Sequence, residues 1–534
     1  MSILSFDIGT TGVKTCLYDI SEEGVLLLDT AYSSYPIYFL PGGGAEQDPH
    51  EWWKALCETS REIAKSQGEK IKDLEGISFC SQMQSLVLVD EKGLPIRRAM
   101  SYMDQRASEI KSKVNGRRPK IAGVEVSLLL KSLYHTGVVA ASDKDPLWKY
   151  LWVKEYEPEV FKKIHKWLDV KEALIARMTG EFVMSEDSAF ATLLMDKDSS
   201  HPHFSTSLLK TLKINPDHLP TIVKSIDEVG TLTEEAAKEL GLPQGVKVFA
   251  GGGDASLVSL GAGTVFPGEA HVYMGTSGWS SVITDKRTVD TKHMMASVVG
   301  VQPGLFNYFA ELETAGKCLE WVKDHLALDE INIYLKQENI ADDPTTRYEN
   351  LYEYLSEVIE TIPAGSGGVI FLPWLHGNRC PFEDAYAKGS FFNIGLETGK
   401  TELIRSVIEG VCYHLRWFFD VIKEKLPVHG TIRFVGGGAL SDTTAQILAD
   451  VLKHPIEVTK NPQNVGALGA SYLAACGLGI FKDLKYAARF TPVEKRFEPN
   501  PSNFEVHDKN FEVFKEFYPK NKKLFHLLNK KEAQ

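Results

Sequence analysis

Asp254 stands where a carboxylate could take a proton from an alcohol. Val246, Val248, Phe249 and Ala250 predict a buried strand, Gly251, Gly252 and Gly253 a turn that lets backbone come close to something, and ASLVSLGAG a helix. An acid at such a strand-to-helix junction, beside a glycine-lined hollow, can act as a general base toward a bound hydroxyl. The same placement also suits an N-cap aspartate that satisfies the first free N–H groups of the helix.

Two glycine-bounded polar turns accompany it. Gly9-Thr10-Thr11-Gly12 joins a strand over Ser2–Ile8 to a returning strand over Val13–Asp19, and Gly275-Thr276-Ser277-Gly278 joins Ala270–Met274 to Trp279–Thr284. N–H groups and hydroxyls at such tips form a concave donor set suited to phosphate oxygens, although hairpin tips also take Gly and Ser for conformation alone. The two turns, with Asp19 and Asp285 beyond them, match at one offset, 275 − 9 = 266, close to half of the 534 residues. Internal similarity on that scale predicts two related domains, each supplying a phosphate-gripping hairpin to a shared cleft.

The elements that must position these residues are ordinary ones. A chain of 534 residues, 43% hydrophobic and 24% charged, is long enough for two domains and has the composition of a globular protein. No stretch is apolar for long enough to span a bilayer, and MSILSFDIGTTG lacks the basic and apolar regions of a signal peptide, so the expected setting is cytoplasmic. Seven scattered cysteines form no CxxC pair, which argues against a disulfide frame or zinc site. A net charge of −12 argues against nucleic-acid binding, and the basic stretches Lys111–Lys120 and NKKLFHLLNKKEAQ read as solvated surfaces. His201 and His203 lie in a Pro- and Ser-rich stretch and read as surface residues. Helical spacing is predicted over Asp48–Ala64, Leu147–Thr179, Glu311–Leu326 (with Gly316 in its first turn), Ala439–Leu452 after the strand Ile432–Val435, and Phe511–Leu528.

FDIGTTGVK, GGGDAS, FVGGGALSD and VGALGAS, with FLPWLHGNRCPFED, FNIGLETGKTELIRSVIEGV and PLWKYLW, together resemble the FGGY carbohydrate kinases over roughly residues 1–480. The resemblance implies an α/β fold of two actin-like, ribonuclease H-like domains with mixed sheets around a central cleft. It divides the chain into residues 1–247 on the sugar side, 248–485 on the nucleotide side, and a helical extension over 486–534. It implies transfer of the γ-phosphate of ATP to a sugar hydroxyl with Asp254 as base. Asp7 would hold Mg²⁺ largely through waters, while Gly9, Thr10, Thr11, Gly275, Thr276 and Ser277 meet phosphates. Gly316, Gly436, Gly437, Gly438 and Ser441 would take the nucleotide, and Met83, Gln84, Tyr102, Asp104 and Arg106, with Asp254, the sugar. Xylulokinases usually carry Met-His at Met83-Gln84 and Asn at Ala255, and glycerol kinases Arg-Glu and Gln, so neither template fits fully. A ketopentose such as xylulose is the first expectation. Another polyol, a sugar acid, a signalling sugar, or a nucleotide-gated regulatory protein of the same fold are the alternatives, and a homodimer is left open.

Overall fold

The computed structural model describes residues 1–116, 118–121, 123–198, 201–326, 356–357 and 359–530. Arg117 of the first basic stretch, Ser199 and Ser200 beside the histidines, and the last four residues of the tail lie outside the described residues. The chain forms two compact units. One comprises Met1–Val265, Val298–Asn307 and Asn464–Thr491; the other comprises Phe266–Ser297, Tyr308–Gln463 and Pro492–Gln534.

Alternating apolar residues make the strands of the first unit. β1 (Ser2–Ile8), β2 (Gly12–Ser21), β3 (Gly24–Ser34), β4 (Leu74–Ser81), β5 (Glu228–Thr231) and β6 (Lys247–Phe249) lie in the order β5-β6-β4-β1-β2-β3, and the short β7 (Gly252–Gly253) also pairs with β4. β1 runs antiparallel to β2 and parallel to β4, β4 is parallel to β6, and β5 closes the edge antiparallel. Helix Pro49–Ser66, capped by the Asp48 side chain, buries Trp52, Trp53, Leu56 and Ile63 against this sheet. A further set of helices, including Pro146–Tyr156, encloses a separate core around Trp148, Tyr150 and Trp167.

The second unit repeats the plan. β8 (Ala270–Met274), β9 (Gly278–Thr284), β10 (Val289–Asp290), β11 (Met295–Val299), β12 (Phe306–Leu312), β13 (Ile432–Val435), β14 (Ile456–Thr459) and β15 (Val493–Phe497) lie in the order β10-β11-β12-β9-β8-β13-β14-β15. β8 is antiparallel to β9 and parallel to β13, β13 is parallel to β14, and β15 is antiparallel. The same hairpin, two parallel neighbours and antiparallel edge therefore occur twice, which is the actin-like arrangement. The hairpins differ in one detail. Ile8 pairs with Val13, whereas Met274 pairs with Gly278, so pairing in the second slips by one residue relative to the sequence match.

Three boundaries depart from expectation. The sequence reading places Asp254 in the second domain; in the structure its helix belongs to the first unit, because Gly261 and Gly469 let helices Asp254–Gly261 and Val465–Gly477 cross backbone to backbone. The helix expected from Glu311 starts only at Gly316, since Phe306–Leu312 is a strand of the second sheet. The C-terminal extension is not an appendage. Its strand β15 edges the second sheet, and helix Phe504–Asn529 buries Phe511, Phe514, Tyr518 and Phe525 around Trp374.

Candidate active site

The glycine run ahead of Asp254 is required first by the fold itself. Gly251 has φ +69° and no room for a Cβ beside the Phe79 carbonyl, and the space a Cβ of Gly253 would fill holds the Met83 side chain. Gly253, not Asp254, is the N-cap residue, and it lacks a side chain to cap with. Asp254 is thus the first helical residue, half-buried, with Oδ1 accepting from the Ala255 N–H at 2.7 Å. The Gly253 N–H is held by Asp187 Oδ2 at 2.6 Å, and Asp187 in turn accepts from Ser185, which belongs to a buried network with Lys171 and Ser188. Asn307 donates to the Ala255 carbonyl at 3.0 Å. Asp187 and Asn307 were missed at the sequence level because they lie 67 residues before and 53 residues after Asp254.

The first hairpin is braced from behind. Tyr35 Oη donates to the carbonyls of Gly9 (2.5 Å) and Gly12 (3.1 Å), the Tyr35 N–H donates to Thr11 O, and Gln47 Nε2 donates to Thr10 O at 2.8 Å. All four turn carbonyls are therefore engaged with Tyr35 and Gln47, and a planar trans peptide then turns its N–H the opposite way. Gln82 extends the brace by donating to Gln47. Asp7, on β1, is partly buried; burial pushes its carboxyl up, while Lys14 and a hydrogen bond from the Cys80 thiol pull it down. The Cys80 thiol is itself pushed well up, by burial first and then by Asp7, Asp254 and Asp187, which places all three carboxylates within electrostatic reach of one sulfur. A Cβ on Gly466 would lie 2.6 Å from Asp7 Oδ2, so the N-terminal turn of helix Val465–Gly477 meets that carboxylate without a side chain between. Gly469, beside Leu257, lets two helices pack closely, while Gly466 makes room for Asp7.

The expected sugar residues gather in the same unit. Met83 lies on Gly253, next to Asp254, and Tyr102 Oη is 3.4 Å from Thr10 Oγ1, so the hairpin and the Tyr102–Arg106 segment touch. Gln84 has a left-handed backbone, φ +63°, unusual for a residue with a Cβ. Asp104 differs from the expectation of a direct sugar contact. It is fully buried, accepts from the Ala45 and Arg106 N–H groups, and pairs with the Arg106 guanidinium at 2.7 Å. Arg106 also meets Glu46 at 2.6 Å and stacks over Trp152. The local ion pair is therefore present, and Asp104 holds Arg106 in place.

In the second unit, Gly316 backs the other hairpin. Its N–H donates to Gly275 O at 2.8 Å, the Ala315 and Lys317 N–H groups donate to Thr276 O, and a Cβ at 316 would lie 2.5 Å from Gly275 O. Of the three glycines after β13, Gly436 has φ +90° and Gly438 lies against the Met274 side chain, whereas a Cβ on Gly437 would meet nothing within 4 Å. Ser441 is the N-cap of helix Asp442–Leu452, accepting from the Thr444 N–H, with Ser356 Oγ 2.9 Å away.

Residues 2–261 match the model of the FGGY family of carbohydrate kinases, N-terminal domain, and residues 270–478 that of the C-terminal domain. This chain belongs to the FGGY family of carbohydrate kinases. It is similar to a xylulose kinase of Bacillus subtilis (strain 168), 29% identical over 91% of this chain and 90% of that one. It is also similar to a gluconokinase of the same organism, 28% identical over 90% and 87%. Among solved structures, ligand-bound xylulose kinase from Lactobacillus acidophilus superposes with a TM-score of 0.81 at 26% identity, covering 97% and 98%. The protein is accordingly a carbohydrate kinase, with ATP as co-substrate and a sugar as acceptor.

Proposed function

We propose that this FGGY kinase phosphorylates a ketopentose of the xylulose type. The observation that carries the reading is the packing of Met83 on Gly253, which brings the expected sugar turn against the residue preceding Asp254. A sugar acid is less well served. Arg106, the cation of the expected sugar segment, is already neutralised by Asp104 and Glu46, so it offers little net charge to a carboxylate.

In this reading Asp254 accepts the proton of the attacking hydroxyl, with the Ala255 N–H orienting its carboxylate. The N–H groups and hydroxyls of Thr10 and Thr11, and those of Thr276 and Ser277, bind phosphate oxygens as charge moves to the leaving group, while Gly9 and Gly275, whose N–H groups close the turns on the Gly12 and Ser277 carbonyls, let the phosphates come close to backbone. Gly437 gives the nucleotide its closest approach to backbone, while Gly436, Gly438, Gly316 and Ser441 shape the loops around it. Gln84 and Tyr102 hydrogen-bond sugar hydroxyls, and Met83 covers the carbon chain.

Asp7 fits Mg²⁺: its partly buried carboxyl, pushed up by burial, would gain from a cation, and Mg²⁺ keeps most of its own waters, as suits a site where no group of three ligating side chains is found among the described residues. When bound, the ion would neutralise phosphate charge. No described helix is long and apolar enough to cross a membrane, and the reading includes a cytoplasmic setting.

The test is ADP release with Mg²⁺-ATP against ketopentoses, polyols, aldonates and ketohexoses, with Asp254→Asn alongside. A ketopentose should turn over best. Asp254→Asn should lower kcat by about 10² to 10⁴ while nucleotide binding stays intact. An aldonate turned over better than any ketopentose would overturn the substrate, and a variant within about tenfold of wild type would overturn the base.

A further inference from the structure

The Met83–Gln84 turn is held by two buried charged side chains that take no part in the chemistry above. Gln84 and Ser85 donate their N–H groups to the two oxygens of Asp169, at 2.8 and 3.0 Å, and Asp169 also caps helix Val170–Thr179 through the Val170 N–H at 2.9 Å. On its other side, the Gln84 carbonyl accepts from Lys149 Nζ at 2.9 Å. The same ammonium donates to the Ser101 carbonyl at 2.8 Å, one residue before Tyr102. Lys149 is fully buried in the middle of the apolar helix Pro146–Tyr156. It thus joins the backbones of the two segments that carry Met83, Gln84, Tyr102 and Arg106, beyond the antiparallel bridge in which Leu86 and Met100 exchange N–H···O bonds of 2.9 and 3.1 Å.

We infer that Lys149 and Asp169 are positioning residues for the sugar site, clamping the left-handed Gln84 peptide from both ends and fixing it relative to the Tyr102 segment. The inference rests on the assignment of these two segments to the sugar. Three observations support it. A non-glycine residue at φ +63° relaxes unless its surroundings hold it. Here both its N–H and its carbonyl are engaged by buried ionisable groups, where neutral partners would have sufficed for stability. Burial also pushes the Lys149 ammonium down to about 7 against the pull of Asp104, Asp169 and Asp145, and pushes Asp169 up to about 7, so the fold keeps these groups at a cost. Both act through backbone: Asp169 holds the Gln84 and Ser85 N–H groups, and Lys149 the Gln84 and Ser101 carbonyls.

Lys149→Met keeps the volume of the side chain and removes its three donors; Asp169→Asn keeps the shape and removes one acceptor. Steady-state kinetics should show the sugar KM raised by about tenfold or more in both, as small displacements of a positioned group do, with the ATP KM within about twofold of wild type. Amide hydrogen exchange on the ligand-free protein should show faster exchange over residues 83–85 and 101–102, and unchanged exchange over residues 275–278. Equal rises in both KM values, or a sugar KM that does not move, would overturn the inference. Unchanged exchange at residues 83–85 in both variants would do so as well. Absence of turnover with every sugar in the wild type would count against the substrate assignment alone, because the exchange readout requires no substrate and decides the clamp by itself.

Discussion

Replacing Gly437 by alanine separates what a glycine does for the fold from what it does for a ligand. At Gly436 a Cβ would lie 2.6 Å from the Met274 carbonyl with φ at +90°, and at Gly438 it would lie 2.6 Å from Met274 Sδ. At Gly437 it would meet nothing within 4 Å, and φ there is not positive. Alanine at 437 should therefore leave stability within about 1 kcal/mol, on the stabilising side, because it narrows the unfolded ensemble without strain. Gly436→Ala, by contrast, combines a left-handed residue with a backbone clash and should lose at least about 2 kcal/mol. If the nucleotide lies on this loop, the added methyl must displace it by roughly 1 Å, enough to weaken binding by about tenfold or more. The assay is calorimetric titration of a non-hydrolysable ATP analogue, with urea unfolding of each variant. A Gly437→Ala protein with wild-type stability and wild-type nucleotide affinity would refute the nucleotide role of this loop. Loss of stability at Gly437 equal to that at Gly436 would refute the claim that the two glycines differ.

Two further outcomes follow from buried groups. His271, which accepts from Trp279 Nε1, is pushed down to about 3 by burial, and His414, which accepts from Trp374 Nε1 and donates to Cys380 O, to about 4. Below pH 6.5 the unfolded chain binds protons that these folded histidines refuse, so stability of the second unit falls as pH drops, by about 2 kcal/mol per histidine at pH 5. Asp169 in the first unit is pushed up to about 7, so its contribution runs the other way between pH 4 and 7. Hydrogen exchange between pH 7 and 5, corrected for intrinsic rates, should show protection lost in the second unit; undiminished protection there would refute the assignment. Gly466→Ala would set a Cβ 2.6 Å from Asp7 Oδ2 and 2.9 Å from its Cγ. An early helical position would ordinarily gain up to about 1 kcal/mol from this change. Here we expect at least about tenfold loss of kcat and a raised Mg²⁺ requirement, and unchanged magnesium dependence would contradict the role given to Asp7.

The strands, the helices and the duplication were legible because each is written in local periodicity: the alternation in β1 and β8, the apolar face of helix Pro49–Ser66, and two glycine-bounded turns 266 residues apart. Asp254 was legible as well, since a lone acid after three glycines is unusual wherever it falls. The sequence by itself thus determined the fold class and the family, and it supplied the proposal of Asp254 as base. Only tertiary structure decided which neighbours those residues have. Asp187 behind Gly253, Tyr35 and Gln47 behind the first hairpin, and Lys149 and Asp169 around Gln84 all come from distant segments without local pattern. Tertiary structure likewise buried Asp104, moved the Asp254 helix into the first unit and slipped the register of the second hairpin by one residue. The physical reason is common to all of these. Periodicity reports which face of an element is apolar, whereas the partner of a buried donor or acceptor depends on which elements cross there, and at what register.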